Sequence, residues 1–224
     1  ALAVIVLVVE AWRWKRGATV DWRSALTWCV AFPAIAAVLI LGFKPTSLAM
    51  QSLATLVLIA PLGPLLYRVA YRPLADASVL MLLIVSVALH GVLVGLGLFF
   101  FGAEGSRTSA FSEARFDLGG IPVNGQSLVV VGVTLVLVIT MFWFFGRSMV
   151  GKALRATAIN RVGARLSGIP TELSGDLSFA LAAVIGAISG LLIAPITTVY
   201  YDTGFLIGLK GFVAAIVGGL ASYP

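Results

Sequence analysis

The chain has 224 residues, is 60% hydrophobic and only 11% charged, and has a mean hydropathy of +1.09. So little polar surface excludes an ordinary water-soluble domain, and uncharged runs near 20 residues exclude a transmembrane barrel, whose strands alternate over about ten. The net charge of +6 comes from cations flanking apolar runs, which speaks for membrane topology and against nucleic acid, and the single Cys29 excludes an internal disulfide.

In chain order, ALAVIVLVVEAW starts without Met and is too short to cross a membrane. It has neither the basic lead nor the small-residue cleavage site of a signal peptide, so it reads as the tail of a helix begun earlier, with Glu10 reaching the interface. Apolar runs follow at Ser24–Phe43, Ser47–Leu66, Ser78–Phe101, Ser127–Phe145 and Leu177–Thr198. Most are long enough for about 30 Å of hydrocarbon at about 1.5 Å per residue. A last run starts near Gly204, and GGLASYP stops within it, so both ends read as truncated. The expected fold is all-α: a polytopic helical membrane protein of about six to seven transmembrane helices, forming one transmembrane domain over residues 1–224.

Lys and Arg orient the runs. Arg13, Lys15, Arg16 and Arg23, then Arg68 and Arg72, then Arg147, Lys152, Arg155, Arg161 and Arg165 fall on one side, eleven cations in all, against Lys44, Arg107 and Arg115 on the other. The cation-rich side is expected in the cytoplasm. Trp12, Trp14, Trp22, Trp28, Tyr67 and Tyr71 lie near the same interface, as an aromatic belt requires. Residues 102–126 form the longest outside loop, either a solvated surface or a docking surface for an external partner.

Ionisable groups inside a membrane are functional candidates. His90 is alone in its run, with no acid or second His nearby, and reads as a hydrogen-bonded structural histidine or a proton relay. Lys210 is placed to snorkel, to pair with Asp202 or to meet a solute. Gly186–Gly190, Gly95–Gly97 and Gly218–Gly219 are small-residue sites for close helix packing or a backbone-lined path. Pro33, Pro61, Pro64 and Pro195 mark kinks or broken helices. The chain has no HExxH, GxSxG, Cys/His metal spacing or GxxxxGK[ST] loop, so neither a catalytic centre, a metal site nor an ATP-phosphate cradle is indicated.

The most informative stretch is GKALRATAINRVGARLSGIP, Gly151–Pro170, inside a cytoplasmic segment of about residues 147–173. It lacks acids, is rich in Ala, and its Gly168-Ile169-Pro170 end reads as a helix stop. It is expected to be a short helix at the cytoplasmic surface, held by lipid phosphates or docked to a cytoplasmic partner.

Gly151-Lys152-Ala153-Leu154-Arg155-Ala156, with Ala164, Gly168 and Ile169 downstream, resembles the coupling segment of branched-chain amino acid (Liv-type) ABC transporter permeases. LLYRVAYRPL (Leu65–Leu74) and TGFLIGLKGFVAAIVGGLAS (Thr203–Ser222) are similar to two further stretches of that family, in the same order and spacing. Together they cover about 70% of the chain, from Leu65 onward. Tyr67 stands where the family commonly has Glu, and Ile159-Asn160 where it often has acids.

The resemblance implies an ABC importer permease fold in the bacterial or archaeal inner membrane. It implies a transport subunit, not an enzyme: ATP is used by two cytoplasmic ATPase subunits, and the chain binds no cofactor. A second permease subunit and an extracytoplasmic substrate-binding protein are the other implied partners, with branched-chain amino acids, urea or short-chain amides as solutes. ATPase coupling would fall to Gly151, Lys152, Ala153, Leu154, Arg155, Ala156, Ala164, Gly168 and Ile169, with docking contacts at Ala153, Leu154, Ala156 and Leu166; Lys210, Gly218, Gly219 and His90 are candidates for the translocation path. A secondary transporter or channel is the alternative, but it would be expected to carry acids in mid-membrane, and the runs hold almost none.

Overall fold

In hydrocarbon an uncharged run must satisfy every backbone N–H and C=O within itself, which leaves the helix as its conformation. The computed structural model describes residues 2–15, 26–31, 34–35, 37–38, 42, 47–75, 77–118 and 121–219, and it follows that rule. Among the described residues, four helices are long and apolar enough to cross a membrane: Leu48–Leu74, Leu80–Phe101, Gly125–Arg147 and Thr171–Ile193. The expected span at Ser24–Phe43 lies largely outside the described residues, with a π-helical turn at Thr27–Ala31; Pro33 is among the residues not described.

The helices are α1 (Leu2–Lys15), α2 (Leu48–Ile59), α3 (Leu62–Leu66), α4 (Val79–Phe101), α5 (Gly125–Arg147), α6 (Met149–Ile159), α7 (Arg161–Leu166), α8 (Thr171–Ile193) and α9 (Thr203–Val217). One antiparallel hairpin, β1 (Arg115–Leu118) with β2 (Ile121–Asn124), pairs Arg115 with Asn124 and Leu118 with Ile121. The outside loop therefore contains a small sheet, which its expected reading as a plain loop did not include.

The chain divides into two compact units, Ala1–Leu89 with Gly175–Ser189, and His90–Ser174 with Gly190–Pro224. In the first, the helix from Leu48 does not end at Leu66. It turns at Ala60–Pro61, continues through α3 and closes with a π-turn at Tyr67–Tyr71 and a 3-10 turn at Arg72–Leu74. Pro61 and Pro64 each remove a backbone donor, and the irregular turns around them are the local response. Arg68 and Arg72 consequently belong to the span and not to a loop, a correction to their expected place.

Burial of those arginines is matched by carboxylates. Arg68 Nη2 lies 2.6 Å from Asp176 Oδ2, and its Nε donates to Oδ1 at 3.2 Å. The two side chains are 3% and 9% exposed. Arg72 Nη1 donates to Glu10 Oε1 at 2.9 Å. Glu10 is 1% exposed, so it does not reach the interface as expected. Its arginine partner offsets the charge that burial would otherwise leave unopposed.

Around these pairs the backbones come close. The Tyr67 ring lies over Gly175, and Gly63 lies against the Phe179 carbonyl, where a β-carbon would also sit 3.0 Å from Ala183 Cβ. On each helix the two residues are four apart, so they share a face, and each aromatic residue meets the glycine of the other helix. Tyr71 adds a ring contact to Phe179 at 4.8 Å and a 2.8 Å hydrogen bond with Ser86. A small apolar cluster of Val6, Cys29 and Leu65, flanked by Leu7 and Val69, completes this unit's core.

The glycines differ sharply in what surrounds them. Gly91, on α4, has nothing within 4 Å of its missing β-carbon, whereas Gly63 has no room for one. Gly63→Ala should therefore destabilise the purified chain by about 1–3 kcal/mol through overpacking, and Gly91→Ala should leave it unchanged or slightly more stable. Thermal unfolding of both variants in detergent checks this.

Candidate functional site

The basic segment belongs to the second unit and runs from the end of α5 to the start of α8. α5 ends at Arg147, a cation in the last turn that suits the negative end of the helix dipole. Ser148 forms the corner. Its hydroxyl donates to the Phe144 carbonyl at 2.7 Å and accepts from the Gly151 N–H at 2.9 Å, so one side chain serves the end of α5 and the start of α6. The chain passes so close at this corner that a β-carbon on Gly151 would lie 2.8 Å from Phe145 Cα. Gly151 is thus a glycine because the corner leaves no space for a side chain.

The expected single helix is two helices. Asn160 interrupts it, with extended backbone at φ −147°. It closes α6 through its N–H to the Ala156 carbonyl at 3.0 Å, and opens α7 by accepting the Gly163 N–H on its side-chain oxygen at 2.9 Å. Asn is a poor helix-interior residue and a preferred N-cap, which accounts for the break. α7 stops where expected. Gly168 adopts φ +79°, its N–H bonds the Arg165 carbonyl at 3.0 Å, and the Ile169 N–H bonds the Ala164 carbonyl at 2.9 Å. This paired closure requires a left-handed residue after the cap, and Gly adopts it without strain.

The segment is fastened to the start of α8. Arg165 Nε donates to Thr171 Oγ1 at 3.0 Å, and the Thr157 and Ser174 hydroxyls are 3.2 Å apart. The residues singled out in the sequence separate by burial. Gly151, Leu154 and Ala164 are buried; Ala153, Arg155, Ala156 and Ile169 are half-buried; Lys152 and Gly168 are exposed. Leu154 thus packs within the chain. The exposed large apolar residues of the segment are Met149 (81%), Val150 (44%) and Ile159 (80%) on α6 and Val162 (68%) and Leu166 (85%) on α7. Val162 and Leu166, four apart on one helix, share a face, Ile159 ends α6 just before them in the chain, and large exposed apolar groups gathered in one short stretch mark an interaction surface.

At the other end of this unit, the 102–126 segment is stitched to the turn after α8. Ser106 and Val199 exchange two 2.9 Å backbone bonds, and Arg107 donates to the Pro195 and Ile196 carbonyls at 3.2 Å each. Gln126, 6% exposed, accepts the Phe111 N–H at 2.9 Å and donates to the Leu192 carbonyl at 3.1 Å. Arg107, Gln126, Pro195 and Ile196 border a cleft of about 410 Å³ lined also by Glu113 and Arg115. Pro195 follows the end of α8 and does not kink it.

The path candidates are not gathered into one site. His90 is half-buried and stacks on Phe205 with ring centroids 4.9 Å apart. Lys210 is exposed, and no ion pair joins it to Asp202 among the described residues. Gly218 caps α9, and Gly219 has φ +78°. Gly186 and Gly190 face open space, with no neighbour against them among the described residues.

Sequence reasoning missed Asp176, Gln126 and the capping role of Asn160. The only local signal was Asn160, a cap former set in an otherwise helix-favouring run. Its side chain predicts a specific response: Asn160→Ala should cost about 1 kcal/mol while Asn160→Asp should be near neutral, and Gly168→Ala should cost about 1–2 kcal/mol for its left-handed backbone. Equilibrium unfolding of the three variants checks this order.

The sequence matches the family described as branched-chain amino acid transport system / permease component over residues 23–224. It is 27% identical over 203 residues to the high-affinity branched-chain amino acid transport system permease protein BraD of Pseudomonas aeruginosa, covering 87% of this chain and 66% of the relative. It is 29% identical over 206 residues to the corresponding LivH protein of Escherichia coli, with the same coverage. The probable branched-chain amino acid transport permease protein LivH of Methanocaldococcus jannaschii is 29% identical over 179 residues, 75% of this chain and 56% of that one. The chain thus spans just under two thirds of the length of its bacterial relatives. No solved structure matches it. With a match over most of its length and apolar helices long enough to cross a membrane, the chain is a multi-pass membrane protein that belongs to the branched-chain amino acid transport system / permease component family.

Proposed function

We propose that the chain is a permease subunit of an ATP-driven ABC importer in a bacterial or archaeal cytoplasmic membrane, carrying branched-chain amino acids or related small polar solutes. The observation that carries this reading is the family match over residues 23–224. In this reading residues 1–224 form a single transmembrane permease domain, and a second permease subunit, a copy or a homologue, completes the pathway. Lys210, Gly218, Gly219 and His90 are the candidates for the pathway on this chain.

The basic segment, about residues 147–173, is the coupling element. Two corners and two capping side chains make it rigid, as a part that passes on ATPase closure must be. Ile159, Val162 and Leu166 supply the apolar contact with the ATPase subunits, and Lys152 and Arg165 are exposed beside them to meet acidic groups. Exposed ion pairs contribute about 0–1 kcal/mol each, so the apolar three carry most of the affinity. ATP is bound and hydrolysed by those partners, because this chain has no GxxxxGK[ST] loop. The 102–126 cap, with its cleft, receives the extracytoplasmic substrate-binding protein. The buried carboxylates Glu10 and Asp176 each pair with an arginine, an arrangement that favours a structural role over the ion coupling of a secondary transporter.

The test is to purify the full-length permease with its ATPase subunits. Leu166→Asp and Ile159→Asp, at exposed positions, should change the permease's own stability by no more than about 0.5 kcal/mol. They should nevertheless abolish ATPase co-purification and ATP-driven uptake, and the permease alone should hydrolyse no ATP. Normal uptake by both variants would rule out this docking face.

A further inference from the structure

The stretch YRVAYRP, Tyr67–Pro73, stands out in the sequence and has no part in the docking face. Its structural partner is the start of α8, the helix into which the basic segment runs. Three successive residues there carry three different contacts. Ser174 meets the Thr157 hydroxyl of α6 at 3.2 Å. Gly175 lies under the Tyr67 ring. Asp176 receives Arg68 on both carboxylate oxygens, at 2.6 and 3.2 Å. Ser174 and Asp176 are each 7% exposed, so neither contact is a surface one.

The order of these contacts matters. Pro170 precedes the helix and Gly175 sits in its second turn. A proline junction followed by a helical glycine is a place where a helix bends easily, since glycine adds no side chain to hold the turn. A push on the basic segment would be absorbed there unless the turn were clamped. The two-pronged Arg68–Asp176 pair is a directional clamp, and in a water-poor setting its charges resist separation far more than a surface pair would. The Tyr67 ring closes over the glycine itself.

We propose that Arg68 and Asp176 are positioning residues for energy coupling: they hold the second turn of α8 rigid, so that displacement of the basic segment moves α8 and the 62–71 stretch instead of bending the helix at Gly175. The inference rests on the reading of the basic segment as the ATPase-docking element. Arg72, just after that stretch, pairs with Glu10 of α1 and ties that helix to it.

The experiment is solute uptake and ATP hydrolysis measured together, on the complete transporter of full-length permease, ATPase subunits and binding protein in proteoliposomes. Asp176→Asn should lower solute imported per ATP by about tenfold, within the usual range for coupling between sites, while ATP hydrolysis continues. Arg68→Lys keeps the charge and removes the two-pronged grip, so it should fold and show a smaller loss in the same direction. The exchange Arg68→Asp with Asp176→Arg should recover most of the ratio. A merely structural pair would lower uptake and hydrolysis in proportion as assembled complex is lost, leaving the ratio unchanged. An unchanged ratio in the recovered Asp176→Asn or Arg68→Lys complex would overturn the inference and leave the functional reading intact. Absence of ATP-driven uptake by the unmodified complex would overturn that reading, and this inference with it.

Discussion

A guanidinium in a poorly hydrated helical span has to be met by a carboxylate, and the placement of Arg68 opposite Asp176 is the constraint on which the first unit's architecture rests. The pair fixes which faces of the 62–71 stretch and α8 meet, and at what register. Once it is made, Gly63 falls against Phe179 and Tyr67 against Gly175. A one-residue slip would turn the ring away from the glycine and separate the charges at once. The apolar contacts alone would not be so selective, because lipid tails solvate an apolar side chain as well as a neighbouring helix does. The second pair, Arg72 with Glu10, draws α1 into the same core by the same physics.

The basic segment obeys a different rule. It lies where backbone ends must be capped, and its sequence is spent on caps: Ser148 at one corner, Asn160 at the break, Gly168 at the stop. These fix the directions of α6 and α7, and the direction of α7 sets where Val162 and Leu166 project. The small residues that gave the segment its family likeness serve mainly the internal fit. Gly151 allows the α5–α6 corner and Ala164 is the buried residue of α7. The outward surface is made by larger apolar side chains, which offer a partner more area per residue.

The long helices were legible because a run of some 20 uncharged residues admits few alternatives. The Gly168 stop was legible because the signal is local. What escaped was non-local or competitive. Arg68 and its partner are 108 positions apart, so a cation beside Tyr and Pro looked like a loop residue at a membrane edge. The stretch Thr171–Asp176 looked like connector because it is polar; in fact Pro170 and the acidic Glu172 suit a helix start, and Asp176 is polar because an arginine awaits it. Glu10 misled in the same way, its partner lying 62 positions on. At Asn160, an Ala-rich helical context competed with a strong capping preference, and the cap prevailed.

The most direct test of this account is a double-mutant cycle on Arg68 and Asp176, read as unfolding free energy of the purified chain in detergent. Arg68→Ala and Asp176→Ala should each be strongly destabilising, and the double variant should be much less so than their sum. The interaction energy should fall in the upper part of the range of about 0.5–3 kcal/mol found for residues in contact. Additive effects, with an interaction energy near zero, would contradict the claim that this pair sets the register of the helices around it.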